Sequence, residues 1–507
     1  MRDLGGIDPR AWLLSGLAIL GVPPVVVGVS ALGVPPLVCG PVLALVAAFG
    51  VVRTWHLLPA ALAEPVRGRR LLLALWLVLV LVAGVRTVRL SVFMHDAAAA
   101  DLSVLPGRPF FRTHACLSAY TEASRLARLG ENVYDPKAYE NRKLGRLEVD
   151  LFQYPPAFLV MGGVLRLGSE DFMVNRAVWF SVQSLGFLVV ALALALWIGG
   201  PPGAWFAWAI PVVWIATPTL LCLQLGNFQV SAFAWSVGAM LLGASGWVIP
   251  AGALLGFCAA GKIFPGVLGL YLLARRRFLS VFWIGAFALI WLVLAIAWFG
   301  MKPQWDFLLF QVPRLNSGAA FPWLDDPDTA GINYSIYGLL LRLRALGVPG
   351  MTREVGNAIA SAYGAAVLVA AAFLGWRRRH VRLEGHLERW QEASLWLAVL
   401  NLGSLRSPFV PDAYAWFGTI WLVALAWAGL RHRTVVVSLA FVVIVLGLSL
   451  VVDGILAPGQ ATPIWMILLT LPIQLAALAV NGWTLWASAF PSRAPEPSST
   501  GAATEAG

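Results

Sequence analysis

Residues 71–93 read LLLALWLVLVLVAGVRTVRLSVF, preceded by Arg67, Arg69 and Arg70 and followed, after Met94, by His95-Asp96. A run of this length, long enough to span and bounded by a basic cluster on one side and a polar segment on the other, is the pattern of a membrane-crossing helix. The same pattern recurs along the chain. Of 507 residues, 59% are hydrophobic and 12% charged, about half the charged share of a soluble domain. The spacing predicts helices at about 11–31, 36–54, 71–93, 155–168, 174–198, 203–221, 227–245, 248–274, 279–300, 355–376, 391–409, 412–430, 434–453 and 462–487. An all-α polytopic membrane protein of about fourteen helices follows, with no room for soluble domains. The 24 Trp suit the membrane interface, where that side chain is favoured.

The net charge of +11 is not a nucleic-acid footprint, because the basic residues cluster at helix ends: 67–70, 275–277, 377–379, and Arg431 with Arg433. Such clusters mark cytoplasmic loops. Residues 94–154 are then outside, and an odd number of crossings must precede Arg275. Four obvious helices lie between, so the short segment 155–168 is counted as a crossing. All four clusters then face the cytoplasm and both termini lie there. This topology also puts Gly226-Asn227 on the cytoplasmic side. No cleavable signal is expected, since Pro23-Pro24 interrupts the first apolar run where small residues are required. Cys39, Cys222 and Cys258 lie in apolar segments, so Cys116 has no loop partner for a disulfide.

Two loops, about 94–154 and 301–354, are long enough to carry function. The first includes an amphipathic stretch with Tyr120, Ala123, Leu126 and Ala127 on one face and Glu122, Arg125 and Arg128 on the other. The second carries Trp305, Arg314, Trp323 and the acidic Asp325, Asp326 and Asp328, which suit an acceptor site or a solvated face equally. The tail from Pro491 has the composition of a disordered segment. His95-Asp96 and Asp101 stand just past the membrane exit, where a carboxylate can take a proton from an acceptor hydroxyl; a solvated helix end explains them too. The set His95, Asp96, Asp101 and His114 matches no closed metal site, and neither a metal nor another cofactor is expected.

Motif blocks follow in order: Tyr120, Gly130, Tyr134-Asp135 and Tyr154-Pro155-Pro156; then Leu225-Gly226-Asn227-Phe228-Gln229 and Gly261-Lys262-Ile263-Phe264-Pro265; then Asn333-Tyr334-Ser335 and Ser407-Pro408 with Asp412 and Tyr414. This order resembles glycosyltransferase family 87. The resemblance implies a GT-C-type bundle that moves a hexose, mannose by preference, from a polyprenyl-phosphate donor to a glycolipid or glycan acceptor, with inversion, on the extracytoplasmic face of a bacterial plasma membrane. Membrane lipid and these substrates are the implied partners; nucleic acid is not. Residues 1–70 would add two helices to a core at 71–490, with 491–507 as a cytoplasmic tail. Tyr154, Asn333 and Asp412 would contact substrate.

The resemblance fails at one position. The family pattern places an acid four or five residues before the aromatic that Tyr120 matches, and Ala115 and Cys116 stand there. Either Asp96 or Asp101 supplies the carboxylate, or His114 is the base, or the activity is lost or changed; Asp96 is the first choice. Lys262 lies inside an apolar run, more than about 15 Å from either end at 1.5 Å per residue. A charge there faces a cavity or partner, such as the donor phosphate, or snorkels along the Pro265 break. Arg406, near Asp412, suits the leaving phosphate or a structural ion pair. The rival reading is a transporter or flippase, which broken helices and a buried lysine also suit.

Overall fold

The computed structural model describes residues 8–325, 329–430, 434–452 and 463–490. Its longer α-helices are α1 (Pro9–Ala31), α2 (Pro36–Thr54), α3 (Arg70–His95), α4 (Leu117–Arg128), α5 (Leu159–Gly168), α6 (Phe172–Ile198), α7 (Gly200–Ile215), α8 (Thr217–Leu225) and α9 (Gln229–Ala244). There follow α10 (Val248–Gly261), α11 (Gly266–Ala274), α12 (Phe278–Phe299), α13 (Ile336–Ala345), α14 (Arg353–Arg377), α15 (His386–Ser404), α16 (Asp412–Gly429), α17 (Val435–Val452) and α18 (Ile464–Ala489). Three short strands, β1 (His114–Ala115), β2 (Lys143–Leu144) and β3 (Leu147–Val149), form a small sheet in the order β1-β3-β2. Seven described helices are long and apolar enough to cross a membrane, and α7 with α8 makes an eighth if that pair, bent by 61°, counts as one span. The chain is an all-α polytopic membrane protein. Arg431, Arg433, Asp326, Asp328 and the tail from Pro491 lie outside the described residues.

The bundle has two distinct ends. At the basic end Glu392 is fully buried and accepts hydrogen bonds from Arg378 Nε (2.8 Å), Tyr271 Oη (2.5 Å), Trp396 Nε1 (3.1 Å) and Arg275. A buried carboxylate is tolerated when its lone pairs are met by charged donors, and this one ties α11 and α15 to the end of α14. Arg389 donates to Trp197 O (3.0 Å) at the end of α6, and Trp208 Nε1, midway along α7, donates to Leu62 O (2.8 Å) in the segment that precedes α3. At the opposite, loop end, Arg176 near the start of α6 donates to Phe93 O near the end of α3 (2.7 Å).

That last contact overturns one expectation. Because α6 starts beside the end of α3, the short helix α5 begins and ends at the loop end and does not cross. It is a dip instead: Phe158 reaches down to Phe228 and Phe257, and α5 climbs back to Ser169. A compensating surprise lies at 248–274, expected to be one helix. Pro265 has no N–H to donate and disfavours helical geometry just before it, and Lys262 is extended (φ −140°, ψ 132°). The run is therefore a hairpin, α10 rising beside α12 and α11 returning to Arg275 at the basic end. One crossing lost and one gained leave the parity odd. Gly226-Asn227 moves to the loop end, against the expectation above.

Helix α4 packs tightly on α5. Gly162 lies so close to the Tyr120 carbonyl that a Cβ there would overlap its oxygen, with its carbon at 2.6 Å. Backbone cannot yield as a side-chain tip does, and overpacking a well-filled core costs about 1–3 kcal/mol or more. Gly162→Ala is expected to lower the thermal midpoint of the purified protein by several degrees; an unchanged midpoint would contradict this packing.

Candidate functional site

A cavity of about 1310 Å³ opens at the loop end. Its walls come from β1, the segment after β3, the α8–α9 junction, the α10–α11 tip, α14 and the segment joining α15 to α16.

The rim is set by the sheet. Parallel pairing places His114 opposite Glu148 and Ala115 opposite Val149, so Asp150 emerges beside His114. Ser118 secures the arrangement: its Oγ donates to Ala115 O (2.6 Å) and accepts from Asp150 N (2.9 Å). His114 Nε2 then lies 3.4 Å from Asp150 Oδ2 and 3.5 Å from Cys116 Sγ, and that sulfur is 3.1 Å from Tyr414 Oη. Phe110 stacks on the imidazole with centroids 4.3 Å apart. Burial opposes a charge on His114, but the Asp150 carboxylate and the Cys116 sulfur outweigh it and hold its pKa well above the usual imidazole value.

The floor is made at the helix breaks. Tyr154 Oη accepts from Tyr120 Oη (2.8 Å) and Asn227 Nδ2 (3.1 Å), and Tyr120 Oη accepts from Phe228 N (3.0 Å). Lys262, at the hairpin tip and not in mid-helix as its spacing implied, donates to Gln229 Oε1 (2.8 Å). Its ammonium lies 5.5 and 5.4 Å from the Tyr154 and Tyr414 ring centroids and makes no ion pair among the described residues. Aromatic faces and an amide carbonyl steady the cation without neutralising it, so its charge remains available to an anion.

Arg406 follows α15, packs over Gly364 and donates to Ser361 Oγ (3.2 Å). Asp412 opens α16, buried, its Oδ1 accepting from Ala413 N (2.7 Å). Tyr154, Lys262, Arg406, Asp412 and His114 thus all line the cavity. Asn333 does not. It is a clamp, donating to Pro408 O (2.9 Å) and accepting from Ser335 N and Val410 N (both 3.1 Å), which fixes the segment that carries Arg406. Asp96 is exposed, with its Oδ1 on Ala98 N (2.8 Å), and Asp101 is exposed on the next turn; neither is part of the lining. Sequence reasoning missed Asp150, and it set Cys116 aside as a thiol without a partner. A faint signal existed in the period-2 run Leu147-Glu148-Val149, which marks a strand capable of pairing with His114-Ala115.

Lys262 and Arg406, with the Asp150 carboxylate on the same wall, line one large cavity at the end of the helical bundle of an integral membrane protein. The sequence profile of glycosyltransferase family 87 matches residues 152–408, half of the chain, and the protein belongs to that family. It is a membrane glycosyltransferase. No curated protein and no solved structure matches the chain. The matched stretch holds Tyr154, Asn227, Gln229, Lys262 and Arg406; the rim residues His114, Cys116 and Asp150 precede it.

Proposed function

We propose that the protein transfers a hexose, mannose by family resemblance, from a polyprenyl-phosphate donor to a hydroxyl of a glycolipid or glycan, with inversion at the anomeric carbon. The observation that carries this reading is the placement of Lys262 and Arg406 on one cavity that also has an apolar wall, Ile263, Phe264, Val267, Val367 and Leu368. The cations hold a phosphate, and the apolar wall accepts the chain attached to it. Asp150 takes the acceptor proton, in place of Asp96. The acceptor O–H breaks as its oxygen bonds to the anomeric carbon; the bond from that carbon to the phosphate oxygen breaks, and the polyprenyl phosphate leaves with the electron pair. The loop end faces outward and the basic end the cytoplasm, as the positive clusters favour. Helices α1 and α2 are an addition to the catalytic core.

Membranes expressing the protein are expected to move label from polyprenyl-phosphate-mannose into a lipid or glycan fraction, while membranes lacking it do not. Failure with mannose and with every other polyprenyl-phosphate hexose offered overturns the reading and leaves transport of a lipid-linked substrate to be measured.

A further inference from the structure

The rim carries one imidazole, one thiol and one carboxylate whose donor atoms all lie within 4.8 Å of one another. Two of the three separations, 3.4 and 3.5 Å, fall at the edge length of a tetrahedron around zinc, roughly 3.3–3.7 Å for bonds of 2.0–2.3 Å. A nucleophilic relay does not fit. In such a relay the thiol and the carboxylate engage opposite ring nitrogens, whereas here both approach Nε2. Thiol and carboxylate converge on one ring nitrogen, the arrangement of ligands that share a central cation.

We propose that His114, Cys116 and Asp150 bind a divalent transition metal of the zinc class, with an open fourth position on the cavity. Thiolate and imidazole donors select zinc over magnesium or calcium, which take oxygen ligands. The supporting contacts are those a metal site needs around its ligands. Tyr414 Oη is placed to donate to Cys116 Sγ (3.1 Å), and Leu151 N donates to Asp150 Oδ1 (2.8 Å). That second bond leaves Oδ2 as the oxygen facing His114. All three residues line the cavity, so the fourth ligand is water or an acceptor hydroxyl. Binding the metal displaces the thiol proton and the imidazolium proton on Nε2 to solvent. The chemistry rests on the transfer reading above: a hydroxyl bound at the fourth position is acidified, and its proton passes to Asp150 Oδ1, the oxygen left unligated. Metal binding itself does not depend on that reading.

The test is metal content, independent of turnover. Wild type purified in detergent, loaded with zinc and dialysed, is expected to retain about one ion per chain. Cys116→Ser and His114→Ala, if they elute as the wild type does, are expected to retain at least roughly tenfold less. X-ray absorption at the zinc edge of the wild type gives a measurement that needs no variant: one sulfur with nitrogen or oxygen neighbours is expected. Retention below a tenth of an ion per chain, a shell lacking sulfur, or equal retention by well-folded variants overturns the proposal. A protein that holds zinc in this way but transfers no sugar would sink the transfer reading alone.

Discussion

Asp150→Asn is expected to bring sugar transfer down by about 10²–10⁴-fold, the contribution of a positioned proton acceptor, with the loss in kcat and little change in KM for the donor. The substitution keeps the shape of the side chain and the Asp150 N to Ser118 Oγ hydrogen bond, so the sheet that holds the rim is left in place. What disappears is the carboxylate that lies against His114 Nε2. Asp96→Asn and Asp101→Asn serve as internal controls, since both side chains sit outside the cavity lining, and each should retain near wild-type rates. The assay is initial-rate transfer of labelled hexose in membranes matched for protein content. Undiminished activity in Asp150→Asn, or loss in Asp96→Asn, would return the base to the membrane exit.

Lys262→Met is expected to lower kcat/KM by about 10²–10³-fold, the range seen when one preorganised group facing developing charge is removed. Methionine matches the length of the stem and its fit against Tyr154 and Tyr414, so the change isolates the charge. Gln229 loses its donor partner but lies on the cavity and can be hydrated. Lys262→Arg should recover part of the rate, because the positive charge is retained while the compact ammonium is not. Rates within twofold of wild type for Lys262→Met would remove this residue from the phosphate site.

The gross fold was legible because its signal is composition, and apolar runs of membrane length have few soluble counterparts. Two features escaped for the same reason: a hydropathy window averages over backbone geometry. It joined α10 and α11 across Lys262 and took the dip of α5 for a span, and the errors cancelled in the charge-parity count. In the site, residues announced by an unusual setting were visible, such as Lys262 in an apolar run and Arg406 near Asp412. Asp150 was not, because its meaning comes from the parallel pairing of β1 with β3 across an intervening helix and strand. Asp96 drew attention by its place just past α3, but the cavity lies elsewhere.

The contact between Cys116 and Tyr414 joins positions 298 residues apart. Chains emerge from the ribosome amino end first, so the rim is made early and its cover late. Only when α15 and α16 insert does the cavity acquire its last wall, which makes the carboxyl-terminal third of the chain the step that completes the enzyme.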